Sequence, residues 1–467
     1  MTARPSRAFA VPRDLLDKYN IAGPRYTSYP TAPEWQEGWG DAEGIAILDE
    51  NNAARADVPL SLYVHIPFCH KLCFFCGCNM LVTQKQDLVS NYLDALDLEI
   101  ARVARRVDVE RRPVVQIHWG GGTPTFLSPA QIERVFTALT GRFKLLPDAE
   151  VSLELHPAVT SDEQLVTLRR LGFNRVSMGI QDFDPAVQQA VNRPQPYELT
   201  RDLIARCREL GFQSVNTDLM YGLPLQTEAK FADTLDKVLG IRPDRIALFN
   251  YAHVPWLKKH MEAIKESDLP QPEEKLRIFE RAIATLLDAG YRYIGMDHFA
   301  LPEDELARAQ AGRSLRRNFM GYTTCADSDL YAFGASSIAD LDRAYLQNER
   351  NVTAYIAAMG TRELATIRGM RLSDDDRLRR DVINDLFCNL YVDKAAIAAR
   401  HGVDFDRYFA KELASLAPLA ADGLVVLAPD HLQVTPPGQI LLRNVAMAFD
   451  AYLDKRPPGE RKFSKTI

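Results

Sequence analysis

The stretch HIPFCHKLCFFCGC, residues 65–78, holds Cys69, Cys73, Cys76 and Cys78, four of the chain's seven cysteines. The first three are spaced C-x3-C-x2-C. Thiolates are the usual ligands of iron–sulfur clusters. Three thiolates on a four-iron cluster leave one iron without a protein ligand, free to take an amino-carboxylate chelator and pass it one electron. Zinc is the competing reading, but it prefers two well-separated ligand pairs around a tetrahedral ion. Four cysteines in ten positions separate poorly. Inert buried thiols are a third reading, and fit the clustering less well than either metal. Cys78 stays open between ligand, neighbouring thiol and packing residue. An odd, clustered set of cysteines is a poor disulfide framework and suits metal or redox chemistry.

A second group lies in GGGTPT, Gly120 to Thr125. Glycines let a backbone approach a ligand closely, and exposed N–H and carbonyl groups there can grip an amino acid. The same residues also suit a tight turn between a strand and a helix. Glu154 falls near the end of a predicted strand. There it can accept hydrogen bonds from a ribose hydroxyl or an ammonium, or simply cap the next helix.

These residues need a scaffold. Apolar runs predict strands over 60–67, 114–120, 150–157, 174–181, 213–222 and 244–252, with a seventh over 291–300. Amphipathic patterns predict helices over 90–107, 128–143 and 161–172. In the first, Leu93, Leu96, Ile100 and Val103 recur near a 3.6 period. SPAQIE offers a Ser cap, then Pro at the first helical position. Repeated βα units imply a parallel sheet with helical crossovers, here a full or partial (β/α) barrel. Ligands of such sheets gather at the carboxyl ends of the strands. The cysteine and glycine motifs follow strands one and two, as that rule requires.

Residues 1–55 read as an ordered extended arm, 56–364 as the catalytic barrel with extensions, and 365–467 as a small, mostly helical domain. In the last, helical patterns precede GLVVLAPDHLQVT, two short strands around a Pro-Asp turn, and the order resembles a winged helix. A lid or packing module suits it better than nucleic-acid binding, since no basic exposed helix is evident. The formal net charge of −6 supplies no general field for nucleic acid. No secretory signal and no apolar run of membrane-spanning length is evident. The expected compartment is the cytoplasm, and the expected state a monomer.

C-x3-C-x2-C on the first loop of a partial βα barrel resembles the radical S-adenosylmethionine (SAM) superfamily. YVHIPFCHKLCFFCGCN resembles one family within it, the oxygen-independent coproporphyrinogen III oxidases. So do GPRYTSYPTA (23–32), HWGGGTPTFL (118–127), RVSMGIQDF (175–183), VNRPQ (191–195), DLMYGLPLQT (218–227) and RNVAMAFDAYL (443–453). The resemblance implies a partial (β/α)6-type radical SAM barrel with an N-terminal arm and a winged-helix-like C-terminal domain. It implies that Cys69, Cys73 and Cys76 hold one 4Fe-4S cluster. Tyr63, Gly121, Glu154 and Ile338 then belong to the SAM bound at that cluster. Phe75, Gly122, Thr123, Gln181, Arg193, Asp218 and Ala252 belong to a second SAM. An Arg can pair bidentately with a carboxylate, as such a site requires.

The implied reaction turns two propionates of coproporphyrinogen III into vinyl groups, giving protoporphyrinogen IX. A 5′-deoxyadenosyl radical takes a hydrogen from the β-carbon, and carbon dioxide and one electron then leave. An electron donor and an electron acceptor are required as partners, and the sequence identifies neither. A tetrapyrrole with four propionates needs cations, for which Arg25, Arg316 and Arg317 are candidates. The chain departs from the family at Met320, where glutamine is common; methionine cannot reproduce an amide's hydrogen bonds. Met320 keeps open a related radical SAM enzyme that transfers methyl groups or acts on haem. A haem-delivery protein without oxidase activity is a further alternative.

Overall fold

The computed structural model describes residues 8–325, 327–455 and 463, in two compact units. The units do not follow the linear boundaries expected at 55 and 364. One combines segments 36–282 and 327–369; the other combines the described parts of 1–35, 283–326 and 370–467.

The larger unit is built on a parallel sheet. Its strands are β1 (Leu60–Ile66), β2 (Val114–Gly121), β3 (Leu145–Leu155), β4 (Arg175–Gln181), β5 (Ser214–Tyr221) and β6 (Arg245–Asn250), neighbours in that order. These are the first six strands expected from sequence. On the other side of β1 lies β7 (Asp329–Phe333), also parallel. The sequence reading did not anticipate it. The run expected at 291–300 is instead an antiparallel hairpin, Arg292–Gly295 with His298–Ala300, in the other unit. Its chain turns at Gly295 and Met296, both with positive φ.

The strands alternate in a way that explains the unit. Outward residues such as Ile117, Trp119, Val151, Leu153, Val176 and Met178 are apolar and buried. The intervening residues are polar and meet across the strands. Ser61 bonds Gln116, Gln116 bonds Glu150, and Arg175 bonds Glu150 at 3.0, 2.8 and 3.0 Å. One step further along, Tyr63 stacks on His118, and His118 bonds Ser152 at 2.8 Å. Asn216 donates to Ser177 and to Asp218, both at 2.8 Å. Each pairing obeys the two-residue period of a strand, so the polar ladder rises towards the carboxyl ends.

The crossover helices follow the expected pattern. α1 (Gln86–Ala104) buries Val89, Tyr92, Leu93, Leu96, Ile100 and Val103. α2 (Pro129–Thr140) begins at Ser128, whose hydroxyl accepts from the Gln131 amide in a capping box. α3 (Asp162–Leu171) begins the same way at Ser161 and ends at Gly172 with φ +102. Each Ser cap satisfies an amide, and the turn at Gly172 satisfies carbonyls, that the helix itself leaves unpaired. Glu99 of α1 is buried and accepts from Tyr355 at 2.6 Å, from the Gly334 amide at 2.7 Å and from Asn348. These bonds anchor the turn after β7.

The second unit has an apolar core. Its helix Asp374–Asn389 buries Leu378, Val382, Ile383, Leu386 and Phe387. Three antiparallel strands follow, in the order Tyr391–Asp393, His431–Val434, Val425–Leu427. The last two form the expected hairpin. Tyr391–Asp393 falls among the residues before that hairpin whose pattern is helical, but Leu390 turns left-handed at φ 55 and ends the helix. The predicted arm also differs. Tyr19, Tyr26 and Tyr29 join this core, and Asn444 holds the Tyr19 carbonyl at 2.9 Å. The rest of the arm lies in the larger unit as a helix, Asp41–Ala54, with Gly44, Ile47, Leu48 and Asn51 buried at helical spacing. Two of those four buried positions are Gly and Asn, which hid the period.

Candidate active site

The cysteine loop leaves β1 and is closed at its base by a two-residue parallel bridge, Phe68–Cys69 to Leu81–Val82. Three other segments hold it. The Asn192 amide donates to the Leu72 carbonyl at 2.7 Å, and Phe74 N donates to the Val191 carbonyl at 3.0 Å. Arg193 reaches the Cys73 sulfur at 3.4 Å. Lys258 donates to the Cys78 carbonyl at 3.1 Å, and His260 Nε2 lies 2.8 Å from the Cys76 carbonyl. Thr123 Oγ1 lies 3.5 Å from the Cys69 sulfur.

The glycine motif works by close approach. Gly121 has φ +116, and a Cβ there would lie 2.6 Å from the His65 ring. A Cβ on Gly122 would lie 2.8 Å from the Pro67 carbonyl. Only glycine fits both places, the first for its dihedral as well. Gly122 N donates to Ile66 O at 2.8 Å and Thr123 N to Phe68 O at 2.9 Å, fastening the two motifs to each other.

Both motifs face a cavity of about 340 Å³ at the carboxyl ends of the strands. Of the residues expected at the site, Cys69, Cys73, Phe75, Cys76, Gly121, Gly122, Thr123, Glu154, Gln181, Arg193 and Asp218 line it. Cys78 lines it too. Tyr63, Ala252 and Ile338 do not. Tyr63 sits lower in the ladder, its hydroxyl 3.1 Å from His65 Nδ1. Ala252 is exposed beyond β6, and Ile338 starts the short strand Ile338–Asp340. Arg25, Arg316 and Arg317 belong to the other unit. There Arg25 pairs with Asp297, Arg316 pairs with Asp385 at 2.8 Å, and Arg317 donates to the Arg25 and Tyr26 carbonyls.

Ionisable groups stand among apolar ones on the cavity lining, and burial shifts several of them. Burial pushes the Asp218 carboxyl up to about 7, and the charge of Glu154 adds to the shift. Burial holds His156 down at about 3, helped by Arg193. Burial raises the Cys69 thiol to about 11. A hydrogen bond from Cys78 draws Cys76 down to about 6 and drives Cys78 up. Glu154 accepts from the Gly121 amide at 3.2 Å and lies 3.9 Å from His118 Nε2. Two buried atoms on the lining, Gln181 Oε1 and Arg193 Nε, have no partner among the described residues.

His118, His156, Lys258 and His260 were missed in the sequence. His118 was legible, because it occupies the same alternating register as Gln116. The clamp by Lys258 and His260 was not, since some 180 residues separate them from the loop they touch.

The profile of the radical SAM superfamily matches residues 63–238, and that of the HemN C-terminal domain matches 372–441. The oxygen-independent coproporphyrinogen III oxidase of Salmonella typhimurium is 48% identical over 453 residues, which is 97% of this chain and 98% of that protein. This chain belongs to the oxygen-independent coproporphyrinogen III oxidase family. The family's protein from Synechocystis is 46% identical over 97% of each chain. Among solved structures, the coproporphyrinogen III oxidase of Escherichia coli, described as a radical SAM enzyme, superposes with a TM-score of 0.90 at 46% identity. That match covers 95% of this chain and all of the other.

Membership of this radical SAM family implies a 4Fe-4S cluster and SAM. The residues present fit both. Three cysteines free of disulfides face one cavity, and a glycine cradle adjoins them. The unpartnered Gln181 oxygen and Arg193 nitrogen offer an acceptor and a donor to a polar ligand.

Proposed function

We propose that this chain decarboxylates two propionates of coproporphyrinogen III to vinyl groups, giving protoporphyrinogen IX. The carrying observation is that the cysteine loop, the glycine cradle, Glu154 and Asp218 line one cavity, in a chain 48% identical to a named oxidase over nearly its whole length. Cys69, Cys73 and Cys76 are proposed to hold the cluster, leaving one iron open. When bound, the cluster and SAM supply a radical able to take a hydrogen atom from a carbon.

The chain's own residues bind and orient. Gly121 and Glu154 are proposed to receive the amino-acid end of the SAM at the cluster. The Gly121 amide already donates to Glu154, so the two are preset. Gln181, Arg193 and Asp218, with Phe75, Gly122 and Thr123, are proposed to receive a second SAM. Arg193 offers a carboxylate its unpartnered Nε, and Asp218 accepts hydroxyl or ammonium donors. Tyr63 acts from below by holding His118 and His65 in place. Ala252 and Ile338 are proposed to contact SAM through their backbones or apolar surfaces. The propionates are assigned to Arg25, Arg316 and Arg317; the first two would exchange an internal carboxylate for one on the substrate. Per propionate, the β-carbon gives up one hydrogen atom, then carbon dioxide and one electron leave.

The proposed compartment is the cytoplasm. Among the described residues no helix is long and apolar enough to cross a membrane. Methyl transfer and haem delivery are not favoured by the comparisons. Anaerobic reconstitution with iron and sulfide, then incubation with SAM, dithionite and coproporphyrinogen III, tests the reading. Vinyl product with deoxyadenosine is expected. Methylated product with S-adenosylhomocysteine, or haem binding without turnover, would overturn it.

A further inference from the structure

Glu99 of α1 is 2% exposed, and the reaction described above gives it no task. Its partners are all donors. Oε2 accepts from the Gly334 amide at 2.7 Å and from the Tyr355 hydroxyl at 2.6 Å, and Oε1 accepts from Asn348 Nδ2. Among the described residues no cation lies within ion-pair distance of it. Arg102, one turn along α1, donates instead to the Met359 and Arg362 carbonyls. The titratable groups against Glu99 are two buried tyrosines, Tyr92 of α1 and Tyr355 of the helix Val352–Thr361. Burying a carboxylate without a cation is costly, and hydrogen bonds to the charged form offset part of that cost.

The turn that Glu99 holds leads to the site by two routes. Gly334 has φ +97, and a Cβ there would strike the Tyr92 hydroxyl and the His65 carbonyl. Asn348 Nδ2 donates to the Gly334 carbonyl and to Ser337 Oγ, both at 3.1 Å. The amide of Gly334 is thus tied to Glu99, and its carbonyl to the Asn348 amide that Glu99 orients. Along the chain, the turn delivers Ile338 to the start of its short strand. Across the chain, the Ala335 amide donates to the Tyr92 hydroxyl at 3.0 Å, and that hydroxyl donates to the His65 carbonyl at 2.7 Å. The His65 ring is the one against which Gly121 packs. One carboxylate therefore bears on both Ile338 and the contact of His65 with Gly121.

We propose that Glu99 is a positioning residue for the SAM at the cluster: as a carboxylate it locks the turn 334–337 and, through Tyr92, the His65 end of β1. The proposal rests on the assignment of Gly121 and Ile338 to that SAM. Only the ionised form satisfies all three donors. A proton on Oε1 meets an N–H of Asn348, and one on Oε2 displaces the Gly334 amide or turns the Tyr355 hydroxyl around. Burial pushes the carboxyl up to about 7, so the lock forms above that pH and loosens below it. Glu99→Gln keeps the shape but sets an NH2 group where a carboxylate oxygen accepted, which fixes the loosened form at every pH.

The test titrates the reconstituted, photoreduced full chain with SAM and follows the electron paramagnetic resonance signal of the cluster from about pH 6 to about pH 8. At the upper end Glu99→Gln should bind SAM about tenfold more weakly than the parent. The gap should close as the pH falls, because the parent then loses its own lock. Tyr355→Phe removes a hydroxyl that helps keep the carboxyl ionised, so its affinity should begin to fall at a higher pH than the parent's. A raised acid binds more protons folded than unfolded, so its charge lowers stability above about 7. The cofactor-free Glu99→Gln chain should therefore melt no lower than the parent at the upper end of the range. Unchanged SAM affinity, affinity and melting temperature falling together, or a parent-like pH profile in Tyr355→Phe would overturn the proposal. If the parent's signal does not respond to SAM, the cofactor reading fails. Exchange of the Gly334 and Ala335 amides in the cofactor-free chain, expected about tenfold faster in Glu99→Gln, then decides the lock, and equal exchange overturns it.

Discussion

The inward face of the parallel sheet and the core of the second unit are both buried, yet their chemistry is opposite. The first holds Ser61, Gln116, Glu150, Ser152, Arg175 and Asp218 in a bonded ladder. The second holds Leu378, Val382, Leu386, Phe409, Leu416 and Phe449. Polar groups taken from water without full compensation cost stability, while buried leucine and phenylalanine supply it. The ladder therefore holds a site in place against its own cost, whereas the apolar core serves the stability of its own unit. Substitutions should separate the two roles: ladder and loop changes should act on function, core changes on folding.

The largest effect is expected at the loop. Cys69→Ala, Cys73→Ala and Cys76→Ala, made singly, should each abolish iron retention and deoxyadenosine formation, while Cys78→Ala keeps its iron. Iron analysis and the brown absorbance check this; loss of iron in Cys78→Ala would make it a fourth ligand. Next in size, Leu386→Ala should cost about 2–5 kcal/mol, read from urea unfolding, with SAM affinity preserved in the folded fraction. An equal loss of affinity would mean that core and site are not separable.

Asp218→Asn sharpens the contrast. The carboxyl is held near 7 in the folded protein, well above its ordinary 3.8. A raised acid binds more protons folded than unfolded, so its contribution to stability falls as pH rises from about 4 to about 7. The cofactor-free variant should therefore be more stable than the parent at pH 8, and the difference should vanish by pH 4. SAM binding should weaken at both ends. Thermal melts across that range test the sign; a destabilised variant at pH 8 would refute the strained carboxylate. The smallest effect belongs to Ser128→Ala, about 1 kcal/mol from loss of the helix cap, with no change in SAM affinity.

Much of the catalytic unit was legible because its signals are local. The six strands, the caps at Ser128 and Ser161, and the stripe Leu93–Leu96–Ile100–Val103 all depend on near neighbours in sequence. The same reading mistook 291–300 for a strand because apolar content does not reveal a left-handed turn at Gly295 and Met296. It overlooked 329–333, which is parallel to β1 only through a partner some 270 residues away. It also divided the chain linearly, whereas Tyr26 and Tyr29 pack in one core with Phe387 and Phe449.

By itself the sequence located the thiol loop and the glycine loop, because C-x3-C-x2-C and GGGTPT are short-range patterns legible from residue type and spacing. It also determined that both follow strands of a parallel sheet. Only the tertiary structure decided which polar residues face inward, that Asp218 is strained by burial and Glu154, and that Lys258 and His260 grip the cysteine loop. Those properties arise from distances between segments far apart in the chain. Local periodicity carries no record of such distances, and burial exists only once the segments have met.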